Sequence, residues 1–218
     1  IMPFFVKKKT RVLLETAMEE SVFQRKKTLY ESDIINMVIC ARFISIKNIP
    51  LVIKSLKHIS TSKPWQLTLL GSGPDRKLIL ETIKKEGCEN RVNIIPTLPR
   101  EKALDLIAKS DIFIFPSLKE GGTWALMEAM AMGLPVICLN WTGMAVETTP
   151  ETAIQIAVSN PKIMEKEMGV AISLLINNQS KREKLGISAR QRIKDVFNWD
   201  AKGLYMEKLF SEIESNNI

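Results

Sequence analysis

The strongest constraint on the fold is a regular alternation of short apolar runs with longer amphipathic segments, which begins near residue 31. Six runs have the length and apolar character of buried strands, at 34–41, 66–71, 91–95, 111–116, 134–140 and 152–158. Apolar residues at helical spacing fill the intervals and the rest of the chain, at 48–60, 75–87, 99–110, 122–132, 161–177, 180–196 and 199–215. Buried strands that alternate with helices predict βαβ units.

Right-handed crossovers between such units produce a parallel sheet that is covered by helices on both faces. The predicted fold class is therefore α/β: a Rossmann-like, doubly wound, parallel six-stranded sheet followed by C-terminal helices. Residues 34–198 are expected to form this domain, 199–218 a final helix, and 1–33 a linker or the remnant of a preceding domain. Ligands of this architecture bind beyond the carboxyl ends of the strands, so the loops of interest are 42–48, 71–75, 96–99 and 116–123.

Composition narrows the function classes without choosing among them. The 45% hydrophobic and 25% charged content is typical of a soluble globular protein, and no run approaches the ~18 apolar residues of a membrane span. The net charge of +7 suits anionic partners, but the basic residues are scattered and no aromatic RNA-binding motif accompanies them, so we expect no nucleic-acid partner. Cys40, Cys88 and Cys138 lack metal-binding spacing and are expected to be buried thiols, and the single histidine, His58, argues against a His-rich site.

The predicted loop 116–123 combines two glycines with the start of a helix. Gly121 and Gly122 allow close approach of the backbone to a ligand, and the first N–H groups of the helix favour an anion. Glu120 precedes this helix start and Glu128 lies about two turns into it; a phosphate about 4 Å from either carboxylate would be repelled by about 4 kcal/mol. Both acids are therefore expected to bind hydroxyl pairs on either side of a diphosphate, as a nucleotide sugar provides. Alternatively, Glu120 only caps the helix and Glu128 is a surface residue.

Two basic residues follow the first predicted strand. Arg42 and Lys47, in ARFISIKN, are five residues apart, and a guanidinium fork and an ammonium can both reach one diphosphate; alternatively they are ordinary loop cations. The loop GSGPDR contributes Gly71 and Gly73, but Arg76 occupies the place of the third glycine of a dinucleotide fingerprint. This loop predicts a tight turn before a helix, with close approach of a ligand as the alternative, and it argues against a nicotinamide-dependent enzyme.

Taken together, these segments resemble the C-terminal, donor-binding domain of glycosyltransferase family 4, whose members are retaining enzymes of the GT-B fold. The resemblance covers about 34–215. It rests on motifs that keep the family's order and spacing, namely ARFISIK, LLGSGPDRKLI, NRVNIIPTLPREKALDLIAKSDIFIFPS, EGGTWALME, AMAMGLPVICLNWTG and FNWDAKGLYMEKLF.

The resemblance implies a role for each matching position. Arg42 and Lys47 would bind the donor diphosphate, Glu120 the hydroxyls of the transferred sugar, and Glu128 the ribose diol. Backbone N–H groups at the helix start would contact the sugar and phosphate, and the loop around Thr97 and Leu98 would frame the base, largely through backbone groups. The residues implied for these contacts are Gly121, Gly122, Thr123, Gly71, Gly73, Thr97 and Leu98.

The implied reaction transfers a sugar from a UDP-, GDP- or ADP-sugar to an acceptor hydroxyl with retention of configuration, and it requires no metal or other cofactor. The implied partners are the nucleotide-sugar donor, a sugar or lipid-linked acceptor, and a first Rossmann domain that residues 1–33 cannot supply, so this chain alone is expected to be inactive. A cytoplasmic location peripheral to the inner membrane face, and a role in cell-surface polysaccharide or glycolipid synthesis, are expectations at family level. The alternatives are a nucleotide-sugar-binding module without activity of its own and a nicotinamide-dependent Rossmann enzyme.

Several positions depart from the family pattern around the expected sugar site. Residues 120–123 read Glu-Gly-Gly-Thr where many members have Glu-Gly-Phe-Gly, and 140–143 read Asn-Trp-Thr-Gly where Asp-x-Gly-Gly is frequent. Ala41 replaces the Gly before Arg42, and Pro96 replaces a common Gly. The identity of the base, sugar and acceptor therefore does not follow from any one member.

Overall fold

The computed structural model describes residues 16–25 and 33–215 of the chain. Within these residues one sheet is formed by β1 (Ile35–Cys40), β2 (Trp65–Leu70), β3 (Val92–Ile95), β4 (Ile112–Phe115), β5 (Val136–Leu139) and β6 (Ala153–Ile156). All of its pairings are parallel, in the order β3-β2-β1-β4-β5-β6. The prediction of a doubly wound, parallel six-stranded α/β sheet is confirmed.

The helices of the described residues are α1 (Glu20–Gln24), α2 (Ile49–Ser55), α3 (Arg76–Lys85), α4 (Arg100–Ala108), α5 (Trp124–Ala131), α6 (Thr142–Glu147), α7 (Pro161–Asn177), α8 (Gln179–Val196) and α9 (Trp199–Ser215). Short 3₁₀ turns occupy Ser45–Lys47 and Leu56–His58, so the helix predicted at 48–60 is α only in its first half. The sequence did not predict α1 and α6, because five and six residues are too few to show a helical period.

The core lies at the middle of the sheet. All four residues of β4 and all four of β5 are buried, and Val38 and Ile39 of β1 are fully inaccessible. Burial of both faces explains why these strands read as continuous apolar runs rather than alternating ones. Full burial of a Val, Ile, Leu or Phe side chain contributes roughly 1.5–3 kcal/mol of transfer free energy.

Residues 16–25 are packed into the same core as the sheet. Met18, Val22 and Phe23 are buried, and the Met18 N–H donates to the carbonyl of Phe197 at 2.7 Å. Thr16 lies against the loop after β4, since a Cβ added to Gly122 would lie 2.0 Å from Thr16 Oγ1. This part of the predicted linker therefore supports the loop of interest, whereas residues 1–15 and 26–32 lie outside the described residues.

The C-terminal helix α9 contacts α8 but leaves most of its surface open. Lys202 is its one buried residue, while Leu204, Phe210 and Ile213 are 68%, 57% and 50% exposed. Its predicted role as a helix that crosses to a preceding domain stays a prediction. None of the helices at 16–25 and 33–215 is long and apolar enough to cross a membrane.

Contact between α8 and the turn before β5 generates a first prediction. A Cβ on Gly186 of α8 would lie 2.0 Å from the carbonyl oxygen of Gly133, so Gly186→Ala must displace backbone and should lower the free energy of unfolding by about 1–3 kcal/mol. Gly203 of α9 is the matched control, because its added Cβ meets no atom within 4 Å. Gly203→Ala should be neutral or raise the free energy of unfolding by up to about 1 kcal/mol. Urea denaturation measures both, and equal effects of the two variants would contradict the packing.

Candidate functional site

A cleft of about 720 Å³ opens at the carboxyl ends of β1, β2 and β4. It lies where the strand order reverses, between β1 and β4, which is the position at which doubly wound sheets bind ligands. Gly121 and Glu128 are the two predicted site residues outside its lining. The other nine line the cleft together: Arg42, Lys47, Gly71, Gly73, Thr97, Leu98, Glu120, Gly122 and Thr123.

Two glycines bring the loop after β2 into contact with the loop after β1. Gly71 and Gly73 have φ angles of +147° and +157°, which other residues rarely adopt. A Cβ on Gly71 would lie 1.9 Å from the carbonyl oxygen of Ala41, and a Cβ on Gly73 would lie 2.3 Å from that of Phe43. The Phe43 N–H also donates to the carbonyl of Ser72 at 2.8 Å. The two backbones therefore touch, and this contact holds the residues after β1 at the cleft.

A second glycine contact joins the loop after β4 to the start of α6. The Gly143 N–H donates to the carbonyl of Glu120 at 3.1 Å, and a Cβ on Gly143 would lie 1.7 Å from the carbonyl oxygen of Gly121. The Glu120 N–H donates to Thr142 Oγ1 at 3.2 Å. The short helix α6 thus fixes the backbone on which Glu120 is carried.

The two predicted cations differ in their surroundings. The Lys47 ammonium donates to Glu120 Oε1, which also accepts from the Ser117 hydroxyl, and it lies 5.4 Å from the centroid of the Phe115 ring. Arg42 is exposed, and no acid among the described residues contacts its guanidinium. The cleft therefore offers one paired and one unpaired cation to an anionic ligand.

The start of α5 contains both open and occupied donors. The N–H groups of Gly121 and Gly122 have no acceptor within the described part of the chain. The Thr123 N–H, in contrast, donates to Glu147 Oε1 at 2.7 Å, and the Thr123 hydroxyl donates to Oε2 of the same carboxylate. The expectation that the Thr123 N–H faces a ligand is therefore corrected, because a buried acid already uses it.

Glu147, the last residue of α6, is wholly buried. Burial raises the pKa of its carboxyl from 4.5 to about 7; the two bonds from Thr123 oppose this rise, and the charge of Glu120 adds to it. No cation within the described residues contacts the carboxylate. A carboxyl that holds its proton up to about neutral pH adds little negative charge beside a cleft that suits anions.

Glu128, on α5, is 8% exposed and paired with Arg100, the first residue of α4. The Arg100 Nε and Nη2 both donate to Glu128 Oε1, at 3.1 and 2.9 Å. Burial raises the pKa of Glu128, and the bonds and charge of Arg100 lower it. Burial raises the pKa of the Cys40 thiol to about 11, and the charge of Glu128 adds to this rise. Glu128 lies one turn beyond Trp124 and Ala125, which line the cleft, and it is not an ordinary surface residue.

The far end of the cleft is formed by the loops after β2 and β3. The Thr97 hydroxyl and the Ser72 hydroxyl form a hydrogen bond of 2.7 Å that joins these loops, and Leu98 and Ala103 complete this wall. This end of the cleft therefore combines apolar side chains with two hydroxyl groups. No group of three or more His, Cys, Asp or Glu side chains within the described ranges could hold a metal ion.

Three residues that contact the predicted site residues were not predicted from the sequence. Ser117 and Arg100 could be assigned only to a loop and to a helix, because hydrogen bonds between distant segments produce no periodic pattern in the sequence. Glu147 carries a usable signal, since it follows the apolar residues Met144 and Val146 just as Glu128 is flanked by apolar neighbours. An acid within an apolar run implies a buried partner.

Comparison with known proteins identifies the family of this chain. A family model described as "Glycosyl transferases group 1" matches residues 21–192. The chain is 23% identical over 190 residues to a phosphatidylinositol N-acetylglucosaminyltransferase subunit of Arabidopsis thaliana, a match that covers 86% of this chain and 40% of that protein. It is 24% identical over 208 residues to a GDP-mannose-dependent monoacylated α-(1-6)-phosphatidylinositol monomannoside mannosyltransferase of Corynebacterium glutamicum, which covers 91% and 52%. The chain thus spans about half the length of these relatives.

Solved structures show the same fold. Anabaena Alr3699/HepE in complex with UDP superposes with a TM-score of 0.76 at 17% identity, over 95% of this chain and 60% of that one. At this level of identity the likeness establishes the architecture, and the site has to be argued from the residues of this chain.

The buried acid Glu147 makes stability depend on pH. Between about pH 4.5 and 7 the folded chain keeps the proton of Glu147, whereas the unfolded chain has released it. The contribution of this bound proton to the free energy of unfolding is therefore complete at low pH and is lost as the pH rises to about 7. Relative to Glu147→Gln, which cannot ionise, the wild type should lose up to about 3 kcal/mol of unfolding free energy over this interval. Urea denaturation at several pH values measures the difference between the two proteins.

The exposed residue Glu207 on α9 provides the control for this measurement. Glu207→Gln should differ from the wild type by no more than about 0.5 kcal/mol at every pH. A difference between wild type and Glu147→Gln that is constant from pH 4.5 to 8 would contradict the buried, raised state of Glu147.

Proposed function

Because the chain belongs to the family of group 1 glycosyl transferases, we propose that it is the donor-binding half of a retaining glycosyltransferase, which transfers a sugar from a nucleoside diphosphate to an acceptor hydroxyl. One observation carries this proposal: a single cleft brings together Arg42, Lys47, Glu120 and the open N–H group of Gly122. Cations and peptide donors beside a carboxylate fit a ligand that has both phosphates and hydroxyls.

The diphosphate is assigned to the cations and the start of α5. Arg42 supplies a planar fork, Lys47 a point charge, and the glycine N–H groups lie at the positive end of a helix. Glu120 would repel a phosphate, but its charge is balanced by Lys47 and the Ser117 hydroxyl. Its second oxygen has no partner within the described residues and is available to a sugar hydroxyl.

The chemical step builds negative charge on the leaving diphosphate as the bond between sugar and phosphate breaks. Groups that stabilise this charge more strongly in the transition state than in the ground state accelerate the reaction. Arg42, Lys47 and the N–H groups of Gly121 and Gly122 are assigned this role. No step in this scheme requires a metal ion.

The nucleoside is assigned to the other end of the cleft. Thr97 and Leu98 frame the base there, and Glu128 holds the ribose diol from behind the cleft wall. A first Rossmann domain would close over the donor and bring the acceptor, so this chain alone is proposed to bind donor without turnover. Relatives whose names include phosphatidylinositol support a role in glycolipid synthesis. A location at the cytoplasmic membrane face is part of the proposal.

Donor binding can be tested without the acceptor. A nucleotide sugar at a hundred times its Kd should stabilise the folded chain by about 2.7 kcal/mol, which corresponds to a rise in Tm of roughly 5–11 °C for a chain of this length. A thermal-shift panel of UDP-, GDP- and ADP-sugars, with NAD as the control, measures this and identifies the base. Stabilisation by NAD and by none of the nucleotide sugars would contradict the proposal and favour a nicotinamide-dependent enzyme.

The leaving-group assignment is tested in a protein that joins this chain to an acceptor-binding Rossmann domain. Arg42→Ala and Lys47→Ala should each lower kcat by about 10²–10³, the usual effect of removing one donor to a developing oxyanion. Lys119→Ala is the matched control, because Lys119 is an exposed cation of the same loop as Glu120 and does not line the cleft. Its kcat should stay within about threefold of the wild type. Full turnover in both cleft variants would overturn the assignment.

A further inference from the structure

Arg100 makes an asymmetric contact with Glu128. Both of its donating atoms, Nε and Nη2, bind the same carboxylate oxygen, Oε1, at 3.1 and 2.9 Å. The Arg100 side chain is 48% exposed, whereas that of Glu128 is 10% exposed. The guanidinium therefore covers one side of a carboxylate that is mostly buried.

This contact leaves the second oxygen of the carboxylate uncommitted. Within residues 16–25 and 33–215, Glu128 Oε2 has no hydrogen-bond partner. Glu128 lies one turn beyond Trp124 and Ala125 on α5, and both of these residues line the cleft. The position of Glu128 on α5 thus places it next to the cleft wall that Trp124 and Ala125 form.

The charge of Glu128 depends on Arg100. Burial raises the pKa of the carboxyl, and the nearby acids Glu101 on α4 and Glu19 before α1 raise it further. Arg100 is the cation that opposes them, through its hydrogen bonds and its charge. A buried carboxyl without its cation takes up a proton at a higher pH, and its hydrogen bonds then lose the strength that the charge confers.

We propose that Arg100 is a positioning residue for the nucleotide: its two hydrogen bonds to Oε1 turn Glu128 so that Oε2 accepts from the ribose hydroxyls. This inference rests on the proposed function, which assigns the ribose diol to Glu128. Arg100 itself does not contact the ribose, and its effect passes through the carboxylate.

The experiment compares UDP with 2′,3′-dideoxy-UDP, and GDP with 2′,3′-dideoxy-GDP, by calorimetric titration of the chain from pH 6 to pH 9. The dissociation constant of the dideoxy nucleotide divided by that of the parent nucleotide gives a ratio that reports only the ribose hydroxyls, because the titration of the phosphates is common to both members of a pair. Since a hydrogen bond to a charged group strengthens binding of the parent nucleotide, we expect a wild-type ratio of about ten to a hundred.

Arg100→Ala should reduce this ratio to below about threefold at the acidic end of the pH range and let it recover as the pH rises and Glu128 loses its proton again. The affinity for the dideoxy nucleotide should stay unchanged, which a merely structural role of Arg100 would not allow. Arg100→Lys should give an intermediate ratio, since it keeps the charge and loses the fork. Glu128→Gln should bring the ratio close to one. In the Glu128→Gln background, Arg100→Ala should not change the ratio further.

Lys102→Ala on the same helix is the matched control, because Lys102 is exposed and should leave the ratio at its wild-type value. A ratio that Arg100→Ala leaves unchanged at every pH, or raises, would overturn the inference while the proposed function stands. A wild-type ratio that survives Glu128→Gln would remove the ribose from Glu128 and overturn the inference at that step. A wild type that binds none of these nucleotides would overturn the proposed function and the inference with it.

Discussion

The cleft depends on direct contact between the backbones of loops that follow different strands. Gly71 and Gly73 press the loop after β2 against the carbonyls of Ala41 and Phe43, and Gly143 presses the start of α6 against Gly121. Each of these contacts leaves no room for a Cβ. Because parallel strands end at one edge of the sheet, the contacts place the two cations that follow β1 and Glu120, which follows β4, around a single volume. The side-chain chemistry follows from this backbone arrangement.

Charge balance around the cleft is the second constraint. Three acids lie near a site that suits an anion, and each is offset in a different way: Glu120 by Lys47, Glu128 by Arg100, and Glu147 by burial that holds its proton. A single uncompensated carboxylate there would repel a phosphate by several kcal/mol. In the proposed function, Arg42, the unpaired cation, gives the cleft its attraction for a diphosphate.

Periodicity in the sequence was sufficient to predict the sheet and most of the helices, because central strands buried on both faces and amphipathic helices produce regular patterns of apolar residues. Nine of the predicted site residues line one cleft, since the rule of the carboxyl edge selects loops without any knowledge of side-chain contacts. The pairing of Arg100 with Glu128, and of Glu147 with the Thr123 N–H, joins residues 28 and 24 positions apart, and no periodicity encodes such pairs. Glu147 was also not predicted, because the six residues of α6 are too few to show a helical period. The loop around Glu120 could be predicted as a site, but its internal bonds could not.

A crystal structure of this chain with UDP tests the assignment of the cleft to a nucleotide directly. We expect diphosphate oxygens at hydrogen-bond distance from the Arg42 guanidinium, the Lys47 ammonium and the N–H groups of Gly121 and Gly122, with the ribose hydroxyls turned towards Glu128. A diphosphate bound away from Arg42 and Lys47, or a ribose turned away from Glu128, would contradict this assignment.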